Sequence, residues 1–233
     1  MRPQRGRLHA PVSPSAAHDR LAARIIAAYD EPIVRAYCSV RFLILRQAFL
    51  SAIGAHIPQT GVVLDVGCGF GLFALYFAAS RPGVEIVGFD LSERRVHMAR
   101  AAAAKLGIGN ARFHIGDAAT FRLDYPVAAA YMLDLVHHIP APAVAGLLSS
   151  IARQLPPGGR LVIKDIEPSP AFKLAFTWLL DKVMDYRAPV RYWAPDEIEP
   201  LLASLQFVVE RRRLPDYLPY PHVMYVGTKV ASG

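Results

Sequence analysis

The run GVVLDV (Gly61–Val66) is almost wholly β-branched or apolar, and Gly67, Gly69 and Gly71 follow it before a second apolar run begins. A strand without polar alternation has to be covered on both faces, which is the condition of a parallel sheet clothed in helices. The pattern then repeats. LFALYFAAS (72–80) has helical length and stops at Pro82-Gly83, and VEIVGFD (84–90) is a second strand. Ser92 caps a helix whose apolar face, Val96, Ala99, Ala103 and Leu106, is spaced by threes and fours and ends at Gly107. ARFHIGD (111–117) is a third strand, PVAAAYML (126–133) a fourth, AVAGLLSSIARQL (143–155) a helix closed by PPGG, and RLVIKDI (160–166) a fifth strand. Strands alternating with helices of roughly ten residues build βαβ units.

Both ends of the chain depart from this rhythm. Residues up to Ala17 are rich in Arg, Pro, Ser and Ala and read as a disordered basic segment, 1–18. Helical patterning runs from Asp19 to Tyr29 and, after the break at Pro32, to about Ile53, giving an N-terminal helical cap over 19–60. Downstream, AFKLAFTWLLDKVMD reads as a helical lid inserted near 168–192. A short helix follows over Asp196–Leu205, interrupted by Pro200. QFVVERRRL and HVMYVGTKV are joined by a Pro-rich stretch too short for a helical crossover, so they pair antiparallel. The expected fold is α/β: a doubly wound, mostly parallel seven-stranded sheet over 61–230, with a closing antiparallel strand pair and the helical cap.

The net charge of +7 raises the question of nucleic acid, but its distribution points elsewhere. Much of the excess lies in the first twenty-four residues and at Arg211, Arg212 and Arg213, without aromatic-basic alternation. The reading is a solvated basic surface with no nucleic-acid partner; an anionic membrane or an acidic substrate are the alternatives. Cys38 and Cys68 make neither a disulfide framework nor a zinc site, so no metal is expected and the setting is read as reducing and cytoplasmic. The N-terminus has arginines but no apolar h-region, so it reads as no signal peptide. The apolar stretch 33–56 is broken by Arg35, Arg41 and Arg46, and reads as a core or amphipathic helix able to rest on a membrane surface. Peripheral membrane contact is therefore kept open, and oligomeric state is not legible.

In open α/β sheets the ligand lies beyond the carboxyl ends of the strands, at the switch point beside the first strand. The turn there is Gly67-Cys68-Gly69-Phe70-Gly71. A dinucleotide fingerprint needs its third glycine at position 72, where this chain has Leu72. Asp65, two residues before the first glycine, repels a pyrophosphate and attracts an ammonium group. A cationic, phosphate-free nucleoside fits this turn better than NAD.

These residues resemble the class I S-adenosylmethionine-dependent methyltransferases, over roughly Gly61 to Lys229. VLDVGCGFG resembles the first motif of that family, whose acid and glycines (here Asp65, Gly67, Cys68, Gly69 and Gly71) hold the methionine end of the cofactor. VGFDLS places Asp90 and Leu91 where the resemblance implies ribose binding, with Asp90 accepting from both hydroxyls. IGDA implies Asp117 as acceptor of the adenine amino group beside the backbone of Ala118, and YMLDLVHHIP and PPGGRLVIKDI resemble the segments around the fourth and fifth strands. Met132, Tyr37 and Arg41 complete the expected cofactor set. The implied cofactor is S-adenosyl-L-methionine, leaving as S-adenosyl-L-homocysteine.

Methyl transfer from a sulfonium is an in-line displacement, and a base is needed only where the nucleophile is protonated. His137 and His138, just past the fourth strand, are candidate bases; the alternative is that they brace the following helix. Asp134 in the same loop is a candidate substrate contact. Asp165 either orients a polar acceptor or a histidine, or pairs at the surface with Lys164. Tyr29, Tyr37 and Arg41 lie on the cap, which closes over the cofactor; the alternative for Tyr37 and Arg41, four apart on one helix face, is a core tyrosine beside a surface arginine. Phe172, Phe176, Trp178 and Leu179 line an apolar acceptor pocket or simply pack the lid. The expected activity is methylation of a small hydrophobic acceptor: a polyketide, quinone, aromatic or lipid-like molecule. The alternative is a catalytically silent cofactor-binding scaffold of the same fold.

Overall fold

The structure, a computed structural model, describes residues 13–117, 120–121, 123–168, 191–214 and 221–231. Seven strands form one sheet in the order β3-β2-β1-β4-β5-β7-β6. They are β1 (Gly61–Val66), β2 (Val84–Asp90), β3 (Ala111–Ile115), β4 (Ala129–Leu133), β5 (Arg160–Ile166), β6 (Phe207–Arg213) and β7 (His222–Lys229). β1, β2, β3, β4 and β5 pair in parallel, while β7 runs antiparallel to both β5 and β6. The chain direction between β1 and β4 reverses the order of the sheet, which opens a crevice at their carboxyl ends.

Helices cover both faces. On one, α1 (Pro14–Ala27), α2 (Pro32–Ile44), α3 (Gln47–Gly54), α4 (Leu72–Ser80) and α5 (Glu93–Leu106) share a core with Val63, Ile86, Tyr131, Val162 and Met224. On the other, α6 (Ala141–Gln154) and α7 (Pro195–Ser204) pack on Leu64, Val87, Met132, Ile163 and Tyr225. Successive strand residues alternate between these two cores, as the period of two requires. α5 has the ends its sequence implies: Ser92 Oγ accepts from the Arg95 N–H, and Gly107 closes the helix in the left-handed conformation at φ +67°.

Three boundaries differ from the sequence reading. α1 begins at Pro14 rather than near Asp19, because Ser13 Oγ accepts from the Ala16 N–H and proline suits the first helical turn. Residues 14–18 are thus helical, with Ser13 as their cap, and not part of a disordered segment. The second cap helix is two helices, α2 and α3, meeting at 74° across Leu45-Arg46. The buried faces of the two then turn onto different parts of the molecule: Phe42 reaches Phe73 of α4, and Phe49 reaches His222 of β7. α7 passes through Pro200 without stopping, held on either side by buried Ile198 and Leu202. Residues 1–12 and the core of the expected lid, including Phe172, Phe176, Trp178 and Leu179, lie outside the described residues, as does Ala118.

Candidate active site at the carboxyl edge of the sheet

The glycine turn after β1 is built from left-handed backbone: Gly67, Gly69 and Gly71 have φ of +74°, +54° and +76°. Their surroundings separate their tasks. A Cβ on Gly67 would stand 2.7 Å from the Leu135 side chain, and one on Gly71 would stand 2.7 Å from Phe113 and 2.8 Å from Ala99. Over Gly69 there is nothing within 4 Å. Two glycines therefore let the turn pack against its neighbours, and the middle one leaves open space above it. Cys68 is fixed beneath, its N–H donating to the Phe89 carbonyl at 2.8 Å, and Gly88 is the residue on β2 that leaves room for its side chain.

Asp65 lies on β1 opposite Gly88 of β2 and Tyr131 of β4, and is buried. Burial pushes its carboxyl up to about 7; the Tyr131 hydroxyl draws it back and the Asp90 carboxylate adds to the rise. A buried acid held this close to neutrality gains most from a neighbouring cation. Tyr131 was not singled out in the sequence, where the only signal was one tyrosine among the apolar residues of YML. Asp90 grips the turn itself: Oδ2 accepts from the Gly69 N–H at 2.8 Å and Oδ1 from the Ser92 N–H at 2.9 Å. Each oxygen retains a second acceptor position. Leu91 is 75% exposed beside it, and Asp117 is exposed at the end of β3. The side chain of Met132, a residue expected among the cofactor contacts, is fully buried in the core beneath α6, because its position on β4 faces away from α2.

The cap meets the turn through aromatic contacts. The Tyr29 hydroxyl donates to the Phe70 carbonyl at 2.8 Å, and the Tyr37 ring stands edge-on to Phe70 at 5.4 Å between centroids. Tyr29 is buried and Tyr37 is half-buried. Arg41 reaches past them to Asp134, with Nη2 to Oδ2 at 2.7 Å, and its guanidinium lies over the Phe73 ring. The other Asp134 oxygen binds Lys164 Nζ. Asp134 has positive φ, +54°, and its N–H donates to the Lys164 carbonyl at 2.8 Å. Arg41, expected at the cofactor, and Asp134, expected at the substrate, are paired with each other, and Asp134 also supplies the counter-charge that the fully buried Lys164 needs. Burial by itself would raise the Asp134 carboxyl, but Lys164 and Arg41, with His222 and His137 beyond them, hold it well below the usual carboxylate range. Burial lowers the Lys164 ammonium, against the pull of Asp134.

Asp165, next to Lys164 on β5, points to the opposite face and does not pair with it. Its carboxylate binds His137 Nδ1, and its Oδ2 accepts from the His137 N–H at 3.2 Å. His137 is 2% exposed. Tyr192 stacks on it at 5.7 Å, and its carbonyl accepts from the Arg191 N–H. The His138 ring stands 4.0 Å from that of His137, centroid to centroid. Of the alternatives open for Asp165, the structure selects a histidine partner. The carboxyl edge thus carries Asp65 and Asp90 at the glycine turn, Asp134 beneath the cap and the His137–Asp165 pair on the opposite face, while no cluster of metal ligands exists among the described residues.

Residues 63–159 match the family described as a methyltransferase domain. The chain is 30% identical over 148 residues to a 2-heptyl-1-hydroxyquinolin-4(1H)-one methyltransferase of Mycobacteroides abscessus, covering 60% of this chain and 62% of that one. It is 33% identical over 129 residues to a ubiquinone biosynthesis O-methyltransferase of Xylella fastidiosa, covering 54% and 51%. The chain therefore spans between half and two thirds of the length of these relatives. Among solved structures, magnesium protoporphyrin IX methyltransferase from Synechocystis with bound S-adenosylhomocysteine shares the fold, with a TM-score of 0.63 at 20% identity over 92% of this chain and 95% of that one. Over residues 63–159 the chain is therefore similar to the class I, S-adenosylmethionine-dependent methyltransferases. The site fits that cofactor: an open approach over Gly69, a buried acid that gains from an ammonium, and two acceptor positions on Asp90.

Proposed function

We propose that the chain transfers a methyl group from S-adenosylmethionine to a hydroxyl of a small apolar ring molecule of the quinolone or quinone type. The carrying observation is the buried His137–Asp165 pair at the same strand edge as the glycine turn. The names of the two relatives, a hydroxyquinolinone enzyme and a ubiquinone-pathway O-methyltransferase, support an acceptor of this class.

When bound, the cofactor would supply a methyl group carried on a sulfonium. The chain's own part is to orient, to exclude water and to move one proton. Asp65 would hold the ammonium and Asp90 the ribose hydroxyls while bracing Gly69, and Tyr37 packs on the turn from the cap. A hydroxyl nucleophile loses its proton as the new C–O bond forms. With Nδ1–H directed at Asp165, the His137 imidazole is fixed in the tautomer whose other nitrogen is basic, and Asp165 stabilises the imidazolium that results.

The test is incubation with methyl-labelled cofactor and a panel of hydroxyquinolones, quinols and a cell extract, with products read by mass spectrometry. His137→Ala is expected to lower turnover by about 10²–10⁴-fold with cofactor affinity unchanged. Turnover equal to the parent's would remove His137 as base and leave it the brace of the loop before α6. Cofactor binding without any labelled product would make the chain a silent scaffold.

A further inference from the structure

α2 has two apolar faces. Val34, Cys38, Phe42 and Ile44 are buried in the core, while Ile33, Ala36, Val40 and Leu43 stand on the solvent side at spacings of three, four and three. Ile33 is 75% exposed, Val40 47% and Leu43 56%, which makes a continuous stripe along the helix rather than scattered single residues. The stripe borders the helix edge that carries Tyr37 and Arg41, and so runs beside the mouth of the site. Its electrostatic surroundings have one sign. From Pro32 to Leu64 the chain has three arginines and no aspartate or glutamate; Arg41 is committed to Asp134, which leaves Arg35 and Arg46 as the cations beside the stripe. The two acids just before it are already paired, Asp30 with Lys105 and Glu31 with Arg94. Arg35 gives its guanidinium to the carbonyls of Tyr29 and Asp30, which leaves its charge in place.

We propose that this outer face of α2 seats on an anionic lipid surface. An apolar stripe with a cationic rim is the pattern of a helix lying in the headgroup plane, where burial of the stripe and attraction to anionic lipid add together. The helix lies on the surface and does not cross it. No single helix among the described residues is long and apolar enough to span, the α2–α3 pair is bent by 74°, and the inner face of α2 is committed to the core. A second copy of the chain is the poorer occupant, since a two-fold contact would bring the same acid-free segment, with Arg35 and Arg46, against itself. The proposal goes beyond the methyl-transfer reading and does not depend on it.

The experiment is co-sedimentation of the full chain with vesicles of phosphatidylcholine alone and with vesicles of equal parts phosphatidylcholine and phosphatidylglycerol. Binding to the anionic vesicles is expected, weakened by salt, with little on the neutral ones. Ile33→Ser/Val40→Ser/Leu43→Ser is expected to lower partitioning by at least about tenfold, while calorimetric titration with S-adenosylmethionine gives the parent's affinity. Ile33→Asp, at the most exposed position, is the second arm should the triple variant fail to fold, and its partitioning is expected to fall in the same direction. Three results overturn the proposal: a parent that stays in the supernatant with anionic vesicles, a folded variant that sediments as the parent does, or light scattering showing a dimer that these substitutions abolish.

Discussion

Asp65 and Asp134 are carboxylates at one sheet edge, one strand apart, and their protons behave oppositely. Asp134 has Lys164 and Arg41 against it and stays ionised; Asp65 has no cation beside it among the described residues, and burial lifts it to about 7. Because the folded value lies above the unfolded one, the contribution of Asp65 to stability is full at acid pH, below its ordinary carboxylate range. It is lost as pH rises through about 7. Cofactor binding has the opposite sign, since the ammonium needs the ionised acid. Affinity for S-adenosylmethionine is expected to rise about fivefold between about pH 6 and about pH 7, as the ionised share of a group titrating near 7 increases. Asp65→Asn should flatten that rise; titration calorimetry across the range reads both, and an equally steep profile in the variant would remove Asp65 as its source.

At the scale of elements, the strand–turn–helix from β1 to α4 shows how much a local sequence states and where it stops. The spacing of Gly67, Gly69 and Gly71 was legible, as was the refusal of a dinucleotide. That these glycines do different work was not, because it depends on Leu135, Phe113 and Ala99, which come from three other elements. Gly71→Ala forces a Cβ into Phe113 and Ala99 at positive φ, and is expected to cost about 2–4 kcal/mol from backbone strain and overpacking together. Gly69→Ala meets open space, so its cost to stability is about 1–2 kcal/mol of backbone strain, while cofactor affinity falls because the methyl enters the approach. Urea unfolding with parallel cofactor titration separates the two; a Gly69 variant that binds as the parent does would place the cofactor elsewhere. The bend between α2 and α3 belongs to the same scale. Nothing in 33–56 marks a stop, and the turn arises because Phe42 and Phe49 have partners on different parts of the molecule.

For the molecule as a whole, Arg41–Asp134–Lys164 joins the cap to the sheet with one carboxylate shared by two cations, one of them fully buried. Asp134→Asn keeps a residue that tolerates the left-handed backbone but strands the Lys164 ammonium, and is expected to cost about 3–5 kcal/mol. Adding Lys164→Met removes the stranded charge and should recover much of that loss, as replacement of a buried ion pair by apolar groups often does. Denaturant midpoints of the two variants and the parent check this; a double variant no more stable than the single one would show that Lys164 is not the group left uncompensated. By itself the sequence determined the alternating architecture, the reversed closing strand, the turn that selects an ammonium-bearing nucleoside and the acids at the strand ends. Each is written in local spacing, with periods of two and of three to four and with glycines at fixed intervals. Only the tertiary structure decided what those acids meet. Lys164 and Asp165 are neighbours in the chain, yet the pleat sends one to Asp134 beneath the cap and the other to His137 on the far face, and no local pattern encodes which element waits on either side.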